Sequence, residues 1–342
     1  HILGGTQSLD KILPYKLDWY IFGYGEYAML ELVRALKDNT TSKIKHISVG
    51  DKKVINAQKD YPAFPKRNLS MSYEDRDFIK SWELLPLELS RGCIFQCAFC
   101  SYPILGVRND HSRDENNLYD ELLENYERWG TEHYLLSDET VNDYHEKLER
   151  YAKVIKKLPF KPKMGGYARA DILIARKKSW DTYIEMGFMN HFYGVESLHH
   201  PSAKSIGKGV DSGRLKEGLL EWKEYAYTNS DFYAGYISLI AGLPYETIDT
   251  LNDGVAWLKK HWRDNFAAMG YLTINLPDYG NQYDKLVKCM DDMSLIEKDP
   301  EKYGYTINKD ITKSQQSSLE TGVGLNGQYD KLVSIEMIEA VG

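Results

Sequence analysis

Two hydrophobic periodicities alternate along most of the chain. Short runs of apolar and aromatic residues predict strands at 86–90, 133–137, 164–169, 191–196, 233–241 and 269–275. Between these runs, apolar residues recur with the spacing of one helix face over 117–129, 143–157, 212–226 and 247–261. Strands separated by helices are typical of right-handed βαβ units and a parallel sheet. Six such repeats predict an α/β protein built on a partial (β/α)6 barrel of the TIM type.

A separate strand–helix pattern precedes the barrel. Residues 18–22 form a short β-like run, and residues 26–37 carry apolar positions at helical spacing. A second strand is predicted at 44–49. We therefore expect a small Rossmann-like α/β segment over residues 1–55.

The remaining boundaries follow from stretches without periodicity. Residues 56–82 contain two prolines and many charges, which is typical of a linker. The barrel pattern then extends over residues 83–280. Residues 281–342 are polar and irregular, and we expect them to form a C-terminal extension that closes over the substrate.

Charge and hydropathy exclude two classes of partner. The chain has 43 basic and 50 acidic residues and a net charge of −7, without a basic tract, so we expect no long nucleic acid to bind. No run approaches the roughly 18 consecutive apolar residues that a membrane-spanning helix needs, and the opening residues are polar. We therefore expect a cytoplasmic protein that does not bind a membrane.

The cysteines give the strongest chemical signal. Of the four in the chain, Cys93, Cys97 and Cys100 lie within eight residues of one another, whereas Cys289 is far away. A secreted disulfide framework uses more cysteines at wider spacing, so the clustered thiols indicate metal ligands in a reducing compartment. Three thiolates can hold three irons of a cubane cluster and leave the fourth iron open to another ligand. Their loop directly follows the first barrel strand, at the end where such barrels carry their chemistry.

Two other interpretations of these patterns stay open at this point. A zinc site could use the three cysteines with His111 as the fourth ligand, although zinc sites usually contain a second C-x2-C pair that this chain lacks. Such a zinc or iron–sulfur protein need not be an enzyme. The segment Gly23-Tyr24-Gly25, followed by Asp51 after the next strand, weakly fits a dinucleotide-binding turn and predicts a nicotinamide-linked oxidoreductase. That interpretation leaves the cysteines unexplained.

The segment LELSRGCIFQCAFCSYP at 87–103 resembles the radical S-adenosylmethionine (SAM) superfamily. That family has a C-x3-C-x2-C motif with an aromatic residue before the last cysteine, here Phe99. The resemblance implies a [4Fe–4S] cluster whose open iron binds SAM. It also implies an enzyme that cleaves SAM reductively to a 5′-deoxyadenosyl radical, which abstracts hydrogen from a substrate. An electron donor such as flavodoxin or ferredoxin is implied as a partner.

The resemblance covers roughly residues 83–275 and implies a set of SAM-binding residues. LLSDETVN, YARADIL, YGVES and IAGLPYET are similar to the segments that follow the second to fifth barrel strands in the family, although the usual Gly-Gly-Glu form is absent from the first. The first segment implies that Ser137, Asp138 and Glu139 lie near the SAM amino group, and the second that Arg169 pairs with the SAM carboxylate. The third implies that Glu196 and Ser197 contact the ribose or the amino group. The fourth implies that Gly242 and Pro244 lie beside the adenine, which Phe99 also contacts. A plain ion pair between Arg169 and Asp171 is the alternative for the second segment.

The first residues resemble a domain that precedes the barrel in many radical SAM proteins. ILGGTQS at 2–8, with its Gly4-Gly5-Thr6 turn, and residues 18–36 are similar to the last part of a cobalamin-binding domain. The Asp-x-His-x-x-Gly element of that domain is missing from this chain, so the binding of cobalamin, and whether a front half precedes this sequence, both stay open. With cobalamin, the implied reaction is methylation of an unactivated carbon; without it, a radical rearrangement or an oxidation. The substrate, a small molecule or a peptide, is not identified.

Overall fold

A four-stranded sheet forms the amino-terminal part of the structure. The computed structural model describes residues 2–5, 16–62, 70–100, 111–272, 294–307 and 323–325. The strands are β1 (Ile2–Gly5), β2 (Trp19–Phe22), β3 (Ile47–Val49) and β4 (Lys52–Asn56), in the spatial order β1-β2-β4-β3. The first, second and fourth run parallel, and β3 is antiparallel to β4. The helices are α1 (Glu26–Lys37) and α2 (Ala57–Asp60), with a 3-10 turn at Thr41–Lys43.

Strands β2 and β3 and helix α1 lie where the hydrophobic pattern predicts them, whereas β1 and β4 were not predicted. All four residues of β2 are buried, and α1 buries Ala28, Leu32 and Ala35, which lie on one face of a helix. Strand β4 is absent from the prediction because it begins with two lysines and follows β3 after a two-residue turn. Thr6 of the predicted glycine turn lies outside the described residues. The division of the chain at a linker over 56–82 stays a prediction.

Six parallel strands form the main sheet, as the sequence predicts. After β5 (Leu84–Leu87), a two-residue ribbon pairs β6 (Ser90–Arg91) antiparallel with β7 (His111–Ser112). The other strands of the main sheet are β8 (His133–Leu136), β9 (Lys163–Ala168), β10 (Phe188–Glu196), β11 (Ala234–Ala241) and β12 (Phe266–Tyr271). Their spatial order is β5-β8-β9-β10-β11-β12, and every pair is parallel. The α/β class and the partial barrel are thereby confirmed.

Helices follow the strands of this sheet in the chain. They are α3 (Glu115–Trp129), α4 (His145–Ile155), α5 (Ala170–Ala175), α6 (Trp180–Met186), α7 (His200–Ser205), α8 (Ser212–Asn229) and α9 (Ile248–His261). The four long helices overlap the predicted ones. Three short helices of six or seven residues were not predicted, because they span too few turns to show a helical period.

The described part of the C-terminal extension is small. It contains α10 (Leu295–Lys298), and β13 (Tyr305–Ile307) pairs antiparallel with β14 (Val323–Leu325). Shorter 3-10 turns lie at Asp75–Asp77, Lys177–Ser179 and Glu301–Tyr303.

The helix-facing side of the sheet is a dense aromatic core around a buried histidine. His191 on β10 stacks on Trp222 of α8 at 5.4 Å between ring centroids. Its Nδ1 lies 2.8 Å from the Tyr193 hydroxyl, and its Nε2 lies 2.7 Å from the Phe188 carbonyl oxygen. Burial lowers the pKa of His191 to about 4, so the ring is neutral at physiological pH and serves packing.

A tight turn between α6 and β10 generates a stability prediction. Gly187 has a φ of +69°, and a Cβ added to it would lie 1.8 Å from the Pro162 carbonyl oxygen. Gly187→Ala should therefore lower the free energy of unfolding by about 2–4 kcal/mol, measured by urea denaturation. The control is Gly209→Ala, because a Cβ there would meet nothing within 4 Å. Equal stability of the two variants would contradict the close approach.

Candidate functional site

The cysteine loop begins at the carboxyl end of the first barrel strand. The β6–β7 ribbon joins the two ends of this loop, because Arg91 pairs with His111 across it. Cys93, Cys97 and Cys100 are all partly buried free thiols. The Cys100 backbone N–H donates to the Cys97 carbonyl at 3.0 Å, which turns the chain between the last two cysteines.

The thiols face polar partners from neighbouring strand ends. The Cys93 thiol lies 3.7 Å from the Thr140 hydroxyl, and burial raises the pKa of Cys93. Arg169 donates from Nη1 to the Cys97 sulfur at 3.2 Å. Within the described ranges, no three His, Cys, Asp or Glu side chains are grouped around the position of a single metal ion. The donor set fits a cubane cluster, because three thiols on one loop each bind a different iron there.

Backbone hydrogen bonds attach the middle of the cysteine loop to two other segments. The Ala98 N–H donates to the Ile206 carbonyl at 3.0 Å, and the Ala98 carbonyl accepts from Ile296 at 2.9 Å. These residues belong to a buried apolar cluster that also contains Leu243 and Tyr305. The described start of the C-terminal extension therefore packs against the cysteine loop.

Phe99 and the turn after β11 lie in the same place. Phe99 packs, partly buried, against the cluster that contains Leu243. Gly242 has a φ of +91°, a conformation that favours glycine, and its carbonyl accepts from the Tyr305 hydroxyl at 2.8 Å. Pro244 is buried two residues further on. The structure thus brings together the residues that the resemblance assigns to the adenine.

Arg169 is buried and has several partners. Its Nε and Nη2 donate to the two carboxylate oxygens of Asp171 at 2.9 and 2.6 Å, so the ion pair of the alternative interpretation is present. Its guanidinium also lies 3.9 Å from the centre of the Phe95 ring. Together with its bond to Cys97, these contacts fix the cation beside the cysteine loop.

The predicted residues after β8 bind different parts of the segment that leads into the cysteine loop. Asp138 is buried and accepts hydrogen bonds from the Leu89 N–H at 2.8 Å and the Ser90 hydroxyl at 2.7 Å. Burial raises the pKa of Asp138 to about 6, against the opposing effect of the nearby Lys147. Asp138 therefore holds the backbone just before the cysteines. Ser137 is exposed, and its hydroxyl donates to the Leu87 carbonyl at 3.3 Å.

Glu139 joins the cysteine loop to the amino-terminal segment. Its carboxylate accepts from the Gly92 N–H at 2.9 Å and from the Tyr24 hydroxyl at 3.1 Å. The Arg91 guanidinium lies 4.7 Å from the centre of the Tyr24 ring and forms ion pairs with Glu26 and Glu88. The family resemblance implies that Glu139 lies at this site, whereas its contact with Tyr24 was not predicted.

Glu196 sits at an irregular point of β10. Its φ is +63°, and the register of β10 against β11 shifts between Gly194 and Glu196. Lys208 places its Nζ 3.2 Å from Glu196 Oε1 and donates to the Gly194 carbonyl at 2.8 Å. Burial raises the pKa of Glu196, although Lys208 acts in the opposite direction. A Cβ at Gly194 would lie 2.6 Å from Glu196 Oε1, so any other residue there would displace the carboxylate.

Glu246 is a site residue that sequence reasoning missed. Its Oε1 accepts from the Ser197 hydroxyl at 3.1 Å, and its Oε2 accepts from the Gly242 N–H at 2.9 Å. This buried carboxylate therefore joins the turns that follow β10 and β11. Burial raises the pKa of Glu246 to about 7. The sequence indicates Glu246 only through its position in IAGLPYET, four residues after Gly242. It does not predict that the Glu246 carboxylate accepts from the Gly242 N–H.

Comparisons with known proteins agree with this geometry. The model of the radical SAM superfamily matches residues 87–258, half of the chain. A search of the curated proteins finds no match. None of the helices in the described ranges is long and apolar enough to cross a membrane.

Two solved structures share the fold. One is the radical SAM methyltransferase TsrM from Kitasatospora setae with cobalamin and a [4Fe–4S] cluster bound, with a TM-score of 0.58, 12% identity and 80% of this chain covered. The other is the cobalamin-dependent SAM radical enzyme OxsB, with a TM-score of 0.56, 19% identity and 87% of this chain covered. The chain spans 57% of the first protein and 43% of the second. At these identities the likeness concerns the fold alone.

The buried Glu246 predicts a pH dependence of stability. Its pKa rises from 4.5 in the unfolded chain to about 7 in the folded protein, so the folded state binds the extra proton between these values. The contribution to stability is fully present below the unfolded pKa and is lost as the pH rises through about 7. The glutamine of Glu246→Gln stays neutral at every pH. Between pH ~5 and ~8 the free energy of unfolding should therefore fall more in the wild type than in this variant, by up to roughly 3 kcal/mol.

Urea denaturation across this pH range measures the effect. The matched control is Glu217→Gln on α8, because Glu217 is exposed and its loss should leave the profile unchanged. A Glu246→Gln variant with the same pH profile as the wild type would show that Glu246 does not carry the proton.

Proposed function

The chain belongs to the radical SAM superfamily, and we propose that Cys93, Cys97 and Cys100 hold its [4Fe–4S] cluster for reductive cleavage of SAM. When bound, the cluster supplies the electron that splits SAM into methionine and a 5′-deoxyadenosyl radical, which takes a hydrogen atom from the substrate. The observation that carries the proposal is the C-x3-C-x2-C loop at the carboxyl end of the first barrel strand, with Arg169 bonded to the Cys97 sulfur.

Arg169 places a positive charge beside the Cys97 sulfur. Thiolates are the form in which cysteines bind iron, and a neighbouring cation offsets the negative charge that three such ligands bring to a cluster. The ion pair with Asp171 and the Phe95 ring hold the guanidinium in this position. We also propose that the Arg169 guanidinium pairs with the SAM carboxylate, as the resemblance implies.

The other SAM contacts are assigned to two groups of residues. Phe99, Gly242 and Pro244 would contact the adenine, which the apolar surroundings of Phe99 favour. Glu196 would accept a hydrogen bond from the ribose or the amino group of SAM, and its buried carboxylate can do so while it contacts Lys208. These proposed contacts lie at the carboxyl ends of the strands, the position of chemistry in barrels of this kind.

Ser137, Asp138, Glu139 and Ser197 belong to the proposed SAM site in different ways. Asp138 and Glu139 bond to backbone N–H groups at Leu89 and Gly92, so both position the start of the cysteine loop. Ser197 donates to Glu246 and thereby joins two of the turns. The exposed Ser137 is available to the SAM amino group.

The fate of the substrate radical is a separate proposal. TsrM is a methyltransferase whose structure contains cobalamin, and OxsB is a cobalamin-dependent enzyme. This chain lacks the Asp-x-His-x-x-Gly element that supplies a cobalt ligand, so reactions with and without cobalamin are both kept as alternatives. We propose hydrogen abstraction from a small molecule or peptide, followed by methylation if cobalamin binds, and by rearrangement or oxidation if it does not. Flavodoxin or ferredoxin would supply the electron, in the cytoplasm.

Loss of any of the three cysteines should abolish the cluster. Wild-type protein reconstituted with iron and sulfide without oxygen, then given SAM and a strong reductant, should release 5′-deoxyadenosine. Cys93→Ala, Cys97→Ala and Cys100→Ala should release none and should lack the optical and electron paramagnetic resonance signals of the cluster. Cys289, which lies outside the described residues, provides the control, since Cys289→Ala should keep both.

Each alternative has its own outcome in this experiment. A normal cluster in Cys97→Ala would contradict the ligand assignment, and zinc in place of iron would favour the metal-binding protein. Binding of a nicotinamide cofactor without SAM cleavage would favour the oxidoreductase. A rate of SAM cleavage or a methylated product that depends on added cobalamin would favour methyl transfer.

Glu196 should contribute to the binding of SAM and not to that of iron. Because a charge-assisted hydrogen bond to a buried carboxylate is lost, Glu196→Ala should weaken SAM affinity by about tenfold or more while iron content stays unchanged. Equilibrium dialysis with radiolabelled SAM measures the affinity. Glu217→Ala on the exposed face of α8 is the control, and equal affinity in both variants would remove Glu196 from the site.

A further inference from the structure

We propose that the substrate carries a planar, uncharged aromatic ring that packs on a row of four aromatic residues inside the barrel. This inference rests on the proposed function, because it names the substrate class of that site. The row consists of one residue from each of four adjacent strands, namely Tyr167 on β9, Phe192 on β10, Tyr236 on β11 and Phe266 on β12. We call it the aromatic row.

The strand register aligns these four residues. Phe192 pairs with Tyr167 on one side and with Tyr236 on the other, and Tyr236 pairs with Phe266. The Tyr167 and Phe192 rings meet edge to face, with their centroids 4.7 Å apart. The Phe192 and Tyr236 rings are stacked at 4.6 Å with an angle of 17°. Aligned side chains on adjacent parallel strands lie on the same face, so the row forms one aromatic surface.

This surface lies on the face of the sheet opposite the helices. The neighbours of Phe192 along β10, His191 and Tyr193, are fully buried in the core beneath α6 and α8, and side chains alternate between the two faces of a strand. Tyr167 is 50% exposed and Phe266 is 65% exposed. Large aromatic side chains that share one exposed patch mark a binding surface more often than scattered ones do.

The aromatic row continues into the proposed SAM site. Arg169, whose guanidinium contacts the Cys97 sulfur, follows Tyr167 by two residues on the same chain segment. Ile240, which packs against the Phe99 cluster, follows Tyr236 by four residues on the same face of β11. At about 3.3 Å per residue, the row therefore lies about 7–13 Å along the strands from that site. A substrate ring on the row would extend towards the carboxyl ends, where the hydrogen atom is to be removed.

Small side chains lie between the row and the site. Moving two residues along each strand from the row gives Ser238 on β11, paired with Ala268 on β12. Gly270 follows at the next position on that face, and a Cβ added there would meet nothing within 4 Å. Short side chains above an aromatic surface leave room for a ring to lie flat against it.

The charges beside the row are arranged in pairs, which favours an uncharged ligand. Arg169 is bonded to Asp171, and Glu196 lies beside Lys208. The row itself offers only rings and the hydroxyls of Tyr167 and Tyr236. A carboxylate or an ammonium group on the row would need a countercharge, and none of the four side chains of the row carries a charge. Stacking therefore favours an uncharged planar ring, with the hydroxyls as hydrogen-bonding partners.

The experiment compares 2-naphthol with decahydro-2-naphthol on wild-type protein reconstituted with iron and sulfide, with SAM present and no reductant. Both probes have two fused six-membered rings and one hydroxyl, but only the first is planar and aromatic. Calorimetric titration should give an affinity for 2-naphthol at least about tenfold higher. Equal affinities, or tighter binding of tetramethylammonium as the cationic probe, would overturn the proposal.

Substitutions then locate the binding to the row. Phe192→Leu and Tyr167→Leu should each weaken 2-naphthol binding by about fivefold or more, and Tyr167→Phe should restore most of it because the ring remains. Tyr167 is half exposed, so its variants fold even if Phe192→Leu does not. Phe78→Leu, an exposed phenylalanine outside the barrel strands, is the control. Unchanged affinity in Tyr167→Leu and Phe192→Leu would overturn the proposal.

A separate readout distinguishes this inference from the proposed function. Release of 5′-deoxyadenosine by the wild-type protein tests SAM cleavage and uses no aromatic probe. Binding of 2-naphthol to the row without SAM cleavage would contradict the proposed function and support the aromatic site. SAM cleavage without selective 2-naphthol binding would support the proposed function and contradict the aromatic site.

Discussion

The parallel alignment of six strands is the constraint on which the rest of the structure depends. Because every neighbouring pair in the main sheet runs in the same direction, the carboxyl ends of β5, β8, β9, β10 and β11 all meet at one edge. Residues 72 and 49 positions apart in the chain thereby become neighbours. The bond from Arg169 to Cys97 and the bond from Ser197 to Glu246 both join turns that follow different strands. The sheet topology thus sets the place of the candidate site, and the loops after the strands supply its side chains.

Buried ionisable groups hold these loops in position at a cost. Asp138 and Glu246 each accept from a backbone N–H and from a hydroxyl, which partly offsets the loss of water around a carboxylate. Burial still prevails and raises the pKa of both residues. The folded protein therefore accepts poorly solvated acids so that the turns around the cysteines have defined positions. Perturbed pKa values of this kind cluster at functional sites.

The hydrophobic periods predicted the class of fold and the positions of the long elements, since these depend on many residues of one pattern. Short elements such as α5 and β4 were not predicted, because a few residues cannot display a period. The cysteine spacing identified the candidate ligands directly. Contacts between distant segments could not be predicted from the sequence. The Tyr24–Glu139 hydrogen bond depends on how the amino-terminal segment packs on the cysteine loop, and the aromatic row depends on strand register. A sequence with alternating apolar residues does not say which residue of the next strand lies opposite.

The contact between Tyr24 and Glu139 has a thermodynamic consequence. The same carboxylate bonds to Gly92, the residue before the first cysteine, so the amino-terminal segment and the cysteine loop share one acceptor. A ligand that changes the position of Tyr24 changes the free energy of ordering this loop. By linkage, a cluster bound to this loop would then change the affinity for that ligand by the same factor. Glu139 and Arg91 therefore both connect the amino-terminal segment to the start of the cysteine loop, so a change in one segment would alter the free energy of the other.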